Sequence, residues 1–272
     1  MARLGFIGAG NMACAIIGGV LRAGLVAPQD ILITARTQQT RERVCARFGV
    51  REAASNAELA RESTCVLLCV KPVFLPGVLE EIHPAMAGKL AVSIAAGWDV
   101  PRLREALPQD ARIVRVMPNT PLMAGAGMSL LDAQHTATEE EYAFVRSVFA
   151  CAGEVCEVEP RIFDAASGIS GCGPAFVYPF IEALADGGVR NGVPRALAYR
   201  LAAQTVIGAG RMVLDTGEHP GALKDAVCSP GGTTIEGVKR FEEEGLNAIV
   251  SHAVNASYRR TLELAGKEPD GV

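Results

Sequence analysis

Leu4-Gly5-Phe6-Ile7-Gly8-Ala9-Gly10-Asn11-Met12-Ala13 is the stretch on which the reading of the whole chain turns. Leu4 to Gly8 is a short apolar strand, and Met12 to Ala23 an apolar helix ended by Gly24. Between them lies G-x-G-x-x-A. Gly8 makes the tight turn, Gly10 lets the backbone approach a pyrophosphate, and the small Ala13 lets helix and strand pack closely. The helix start then offers free N–H groups and a positive dipole end to the phosphates. Alone, such a motif is weak. Here it stands in the strand–turn–helix context that it requires.

The residues that follow extend the pattern. Ile31–Thr34, Cys65–Val70, Leu90–Ala95 and Ile113–Met117 read as buried strands. A helix over 39–48 closes at Gly49, and another begins with Pro72 and runs to Ile82. Unbroken apolar strands between helices mark a parallel sheet covered on both faces. A strand over 126–131, a helix over 138–151 and a strand over 154–158 complete this half. From Pro160 onward only helical patterns remain, over 174–185, 194–214, 234–244 and 246–264. The expected fold class is α/β: a Rossmann-type doubly wound parallel sheet over residues 1–159, then an all-helical dimerisation domain over 160–272. Dimerisation is expected because large apolar side chains crowd the second part, from Phe176 to Leu184 and from Leu201 to Val213.

Composition sets the outer limits. The chain has 272 residues, which suits about two domains. Lys plus Arg number 26 against 30 Asp plus Glu, a balance that argues against a nucleic-acid or anionic-membrane partner. The longest uncharged stretch, 165–181, is interrupted by three glycines and two prolines, so no spanning helix is expected. The eight cysteines form no C-x-x-C pair and read as buried free thiols of a reducing cytosol. The four histidines show no ligand spacing with them, so no metal is expected.

At the end of the second strand stand Ile33-Thr34-Ala35-Arg36-Thr37. An NAD site places an Asp or Glu here on the ribose 2′-hydroxyl. This chain has none. Arg36 suits a phosphate and Thr37 can donate a hydroxyl bond, so NADPH is expected as the preferred cofactor, with NADH as the alternative. A second Gly-rich segment, Cys228-Ser229-Pro230-Gly231-Gly232-Thr233-Thr234-Ile235-Glu236, feeds a helix start. Thr233-x-x-Glu236 reads as a capping box, with Thr233 at the N-cap and Thr234 in the first helical position. A small carboxylate or phosphate substrate fits such a site.

With these motifs in place the chain resembles the pyrroline-5-carboxylate reductases over nearly its whole length. The resemblance rests on the Phe6–Ala13 turn, on Val70-Lys71-Pro72, Ala95-Ala96-Gly97 and Met117-Pro118-Asn119-Thr120-Pro121. It continues in Gly168-Ile169-Ser170-Gly171-Cys172-Gly173-Pro174-Ala175, in Ala183–Val189, and in Ser229-Pro230-Gly231-Gly232-Thr233-Thr234. It implies reduction of Δ1-pyrroline-5-carboxylate to L-proline with NAD(P)H, the last step of proline biosynthesis. It further implies interlocked helical domains in a homodimer, often assembled into a decamer of five dimers, with the active site at the dimer interface. Position by position, it implies that Ile7, Gly8, Ala9, Gly10, Asn11 and Met12 line the cofactor. Asn56, then Cys69, Val70, Lys71 and Pro72, then Ile94, Ala95 and Ala96 do so too. Gly232, Thr233 and Thr234 would hold the substrate, and Gly231 shares their loop. Two departures stand out: Cys172, where the family often has Ser, and Ala226, where some members have an Asn that reaches the cofactor.

The implied chemistry is consistent with the residues present. A protonated cyclic imine accepts hydride readily, so no strong acid is demanded. Backbone N–H groups on the carboxylate and the Thr234 hydroxyl on the ring nitrogen would suffice, which makes Thr234 the candidate catalytic side chain. Two alternatives remain. A dehydrogenase of small β-hydroxyacids would want a Lys on the first helix of the second domain, and residues 174–186 contain none. A non-catalytic NADP-binding protein would have no need of the second loop.

Overall fold

The computed structural model describes residues 3–268. They form two compact units: one comprises the chain up to Cys172 together with the residues from Ser257 onward, and the other is Gly173–Ala256.

The first unit is built on eight strands: β1 (Leu4–Ile7), β2 (Ile31–Thr34), β3 (Arg51–Glu52), β4 (Cys65–Leu68), β5 (Leu90–Ser93), β6 (Arg112–Pro118), β7 (Gly127–Asp132) and β8 (Gly153–Val158). They hydrogen-bond in the order β3-β2-β1-β4-β5-β6-β7-β8. The six strands β3 to β6 are parallel, β7 turns antiparallel to β6, and β8 runs parallel to β7. Seven helices accompany them: α1 (Asn11–Arg22), α2 (Gln38–Phe48), α3 (Asn56–Glu62), α4 (Leu75–Ile82), α5 (Val100–Ala106), α6 (Glu139–Ala150) and α7 (Pro160–Ser170).

Strand side chains alternate between two cores. Leu4, Phe6, Cys65, Leu67, Leu90, Val92, Val114 and Val116 join α1, α2 and α6 on one face. Ile7, Val66, Leu68, Ala91 and Ile113 join α3, α4 and α5 on the other. Both faces are covered, which is why these strands read as continuous apolar runs. The ends of the sheet are blunted by the two exposed residues of β3 and by Glu154 and Glu157 on β8.

The helical pattern begins at Pro160, but α7 belongs to the sheet-bearing unit. Its Phe163 is fully buried with Leu130 and Val158, and its Asp164 pairs with Arg115 of β6. The elements β3, α3, α5 and, in the second unit, the helix over 220–227 have no counterpart in the sequence pattern. The helices α3 and α5 nevertheless carry ordinary start signals: Ser55 accepts the Glu58 amide, and Asp99 accepts the Arg102 amide.

The second unit holds α8 (Gly173–Arg190), α9 (Arg195–Thr216), α10 (Pro220–Val227), α11 (Thr233–Glu243) and the first part of α12 (Leu246–Leu264). Its buried apolar cluster consists of Ala185, Ala198 and Ala202, where α8 and α9 pack together. Around them Leu201, Ile207, Met212, Leu214 and Ile249 are each more than half exposed.

The thiols depart from expectation in their burial. All eight cysteines are free, but only Cys65 is fully buried; six are half-buried, and Cys156 is exposed, because it points away from the core on the edge strand β8. Cys65 is buried, and burial pushes its thiol up to about 12. Among the described residues no helix is long and apolar enough to cross a membrane.

Candidate functional site

The expected cofactor residues of the first unit gather at the C-terminal ends of neighbouring strands. Ile7 ends β1. Cys69, Val70, Lys71 and Pro72 follow β4, and Ile94, Ala95 and Ala96 follow β5. The helix after β1 packs on one face of the sheet and the helix after β4 on the other. The β1–β4 boundary is therefore the topological switch point, where open α/β sheets bind their ligands.

Gly8 has φ +96°, and a Cβ there would lie 2.7 Å from the Cys69 carbonyl oxygen, so only glycine fits the turn. Gly10 differs. Its φ of −81° is open to any residue, and a Cβ would meet no protein atom within 4 Å. What its missing side chain leaves is open space in front of α1. Gly10 is the N-cap of α1 and supplies no side-chain cap, so the first-turn amides of Asn11 and Met12 face that space without a partner from the cap. This is the cradle a pyrophosphate needs.

The end of β2 carries the charge. Arg36 is exposed, and its guanidinium lies 5.7 Å from the centre of the Phe74 ring. Arg41 is tied back, donating to the Ala35 carbonyl at 2.8 Å and pairing with Glu52 at 3.5 Å. Arg36 has no acidic partner among the described residues. Thr37 is the N-cap of α2: its Oγ1 accepts the Thr40 amide and shares a 2.8 Å bond with the Thr40 hydroxyl. Asn56 opens α3 with both ends of its amide engaged. Its Oδ1 accepts from the Thr34 hydroxyl at 2.6 Å, and its Nδ2 donates to Glu81 at 2.6 Å. Thr34 and Glu81 were not singled out in the sequence, where neither stands in a recognisable motif; only the fold brings them to Asn56.

The second unit corrects the reading of the other loop. The N-cap of α11 is Gly232, with φ −82° and ψ 171° and no side-chain cap. Thr233 is the first helical residue and Thr234 the second, so Thr233 does not form the expected capping box. The cause is the preceding turn. Gly232 donates to the Ser229 carbonyl at 3.0 Å, with Pro230 second and Gly231, at φ +69°, third. That is a type II turn, and it delivers the chain to the helix one residue early. A Cβ on Gly232 would strike the Ser229 hydroxyl at 2.3 Å. The result favours an anion more than the expected cap does: Thr233, Thr234 and Ile235 open α11 with no side-chain cap on their amides. Gly231, Thr233 and Thr234 are all exposed.

The fold and the first site together define a class. A doubly wound sheet with a phosphate turn at its switch point, and an arginine where an NAD enzyme keeps an acid, is an NADP-using oxidoreductase. Comparison with known proteins gives the family. Residues 160–264 match the model described as pyrroline-5-carboxylate reductase dimerisation, and residues 3–97 match one described as NADP oxidoreductase, coenzyme F420-dependent. The chain is 42% identical over 264 residues to a pyrroline-5-carboxylate reductase of Escherichia coli, covering 97% of this chain and 98% of that one. A soybean (Glycine max) pyrroline-5-carboxylate reductase is 44% identical, with 96% of each chain covered. The crystal structure of Plasmodium falciparum pyrroline carboxylate reductase with NADP bound superposes with a TM-score of 0.88 at 32% identity, covering 97% and 98% of the two chains. The chain belongs to the pyrroline-5-carboxylate reductase family.

Proposed function

We infer that the chain reduces Δ1-pyrroline-5-carboxylate to L-proline with NADPH, the last step of proline biosynthesis. The observation that carries this reading is the uncapped, glycine-led start of α11, which suits a carboxylate, in the second unit of a chain whose first unit carries the dinucleotide turn. The residues assigned to the cofactor are Ile7 to Met12, Arg36, Thr37, Asn56, Cys69 to Pro72, and Ile94 to Ala96. When bound, the nicotinamide supplies the hydride. This chain supplies position. The Thr233 and Thr234 amides and the Gly231–Gly232 turn hold the substrate carboxylate. The Thr234 hydroxyl donates a hydrogen bond to the ring nitrogen, which takes its proton from water as the imine carbon gains the hydride. The direct test follows NADPH oxidation on adding Δ1-pyrroline-5-carboxylate and identifies proline as the product. Absence of turnover with a folded protein would overturn the reading.

The two threonines should separate in paired variants. Thr234→Ala is expected to lower kcat by up to about 10²-fold, at or below the lower end of what acid–base assistance contributes. Thr233 caps nothing, so Thr233→Ala should leave the melting temperature within about a degree, since the ~1 kcal/mol of a lost cap does not arise. Full kcat and KM in Thr234→Ala would leave the backbone amides alone in charge of the substrate.

Arg36 should decide cofactor choice. A charge-assisted contact to the 2′-phosphate is worth about 1.5–3 kcal/mol, or roughly one to two decades in affinity. Arg36→Ala is expected to raise KM for NADPH by that factor and to leave KM for NADH nearly unchanged. Equal shifts for the two cofactors would show that Arg36 does not read the phosphate.

The working unit we propose is a cytoplasmic homodimer formed through the helical part of the chain. The match of the dimerisation model from residue 160 supports a functional division at 159/160. Five such dimers would make the decamer that the resemblance implies, and light scattering of the purified protein reads either mass directly.

A further inference from the structure

We propose that Lys267, just beyond the last helix, is a positioning residue for the loop after β5, and through it for the nicotinamide half of the cofactor site. The proposal rests on the assignment of Ile94, Ala95 and Ala96 to that site. In a doubly wound sheet the strands on one side of the switch point serve the adenine half and those on the other the nicotinamide half. The strands β4 and β5 are on the second side.

Residues 264–267 are fastened to this loop at several points. The backbone of Leu264 and Ala265 lies so close over Gly97 that a Cβ there would stand 3.1 Å from one and 3.2 Å from the other. Gly97 itself has φ +75°. The Arg102 guanidinium stacks 4.0 Å over Trp98, donates to the Gly97 carbonyl at 3.0 Å and reaches the Leu264 carbonyl at 3.4 Å. Lys267 closes the arrangement. Its amide donates to the Leu262 carbonyl at 2.9 Å, while its Nζ lies 2.9 Å from Asp99 and 3.7 Å from Asp164. Asp99 is the N-cap of α5, the helix that the loop leads into. Asp164 pairs with Arg115, which sits opposite Ser93, the last residue of β5. One ammonium thus ties the start of α5 to the charge cluster behind β5, and Ile94–Ala96 lie between those two anchors. Burial alone would raise the Asp99 carboxyl, but the bonds from Lys267 and from the Arg102 amide outweigh it and hold it below the usual range.

A loss of this tie should act on one half of the cofactor. The test uses the full chain and the variants Lys267→Met and Lys267→Arg. It measures kcat and KM with NADPH, and binding of 2′,5′-ADP, which probes the adenine half alone. Misplacement by 1 Å near the chemistry can cost about 10²-fold, and Lys267→Met, which leaves Arg102 and Gly97 intact, is expected to lower kcat/KM on the order of tenfold. Its affinity for 2′,5′-ADP should stay within about twofold of the parent. Lys267→Arg should restore most of the loss. Unchanged kinetics in Lys267→Met would overturn the proposal. So would a parallel fall in 2′,5′-ADP binding, which would mark a general loosening of the unit. A parent protein that does not bind 2′,5′-ADP would instead overturn the cofactor assignment itself, a result distinct from either.

Discussion

Arg115→Met is expected to cost about 3–5 kcal/mol of stability, the usual result of removing one partner from a buried charge group. Arg115 is 2% exposed. It pairs with Asp164 and lies 3.7 Å from Asp132, both buried, and its guanidinium rests 4.1 Å over the Phe163 ring. Its Nε has no hydrogen-bond partner among the described residues. The arrangement therefore does little for stability beyond offsetting the charge of two carboxylates, and without Arg115 Asp132 is left with no cation while Asp164 keeps only Lys267, 3.7 Å away. For a chain of this size 1 kcal/mol moves the melting temperature by roughly 2–4 °C, so the drop should be about 6–20 °C. The deficit should depend on pH with a definite sign. Burial raises the Asp132 carboxyl, and Arg115 opposes that rise. In the variant the opposition is gone. A carboxyl raised in the folded state destabilises at neutral pH, and this contribution disappears as pH falls through its folded value. Thermal melts at neutral and mildly acidic pH should therefore show the deficit narrowing in acid. A loss below 1 kcal/mol, or one that widens in acid, would show that the carboxylates are solvated well enough without the arginine.

The parts of this molecule that were legible beforehand are those whose sequence has a local cause. Gly8 is a turn glycine because its φ of +96° disfavours any other residue, and the strands of the parallel sheet are apolar without break because α1 and α4 cover opposite faces. The boundaries of β2 and α11 fall within a residue of the pattern for the same reason. What escaped notice depends on partners far apart in the chain. The Thr34–Asn56–Glu81 relay spans 47 residues, and Lys267 meets Asp99 across 168. The helices α3 and α5 carry local caps at Ser55 and Asp99 but are too short, at seven residues each, to show a clear period. The reading of Thr233 as an N-cap fails where two local signals compete. Thr233-x-x-Glu236 fits a capping box, and Ser229-Pro230-Gly231-Gly232 fits a type II turn. The turn wins because Gly231 accepts a positive φ that a threonine capping geometry one residue later cannot displace.

Ile207→Asp is expected to abolish the proposed dimer and, with it, most of the activity. The second unit has little core of its own. Its buried apolar cluster is three alanines, which cannot pay the ordering cost of several helices. Meanwhile α9 is apolar on more than one side. Ala198 and Ala202 face α8, yet Leu201 is 53% exposed, Ile207 58% and Leu214 77%. Apart from a polar stripe of Arg200, Gln204, Arg211 and Asp215, α9 is apolar; exposed apolar faces of this kind belong in an interior, and these have no cover within their own unit. A stable interface of about 1,200–2,000 Å² in total would supply it. At about 25 cal/mol per Å² of apolar surface, such burial is the largest stabilising term open to this unit. A carboxylate in the middle of that surface would have to be desolvated unpaired. Light scattering at micromolar concentration should give at least twice the chain mass for the parent and a single-chain mass for Ile207→Asp. Circular dichroism should show helix lost from the variant, while 2′,5′-ADP still binds, because the Arg36 end of the sheet belongs to the other unit. A monomeric parent with full activity would refute the dimer outright. A dimeric, active Ile207→Asp would move the interface to another face of α9, with Leu201 and Leu214 as the next positions to test.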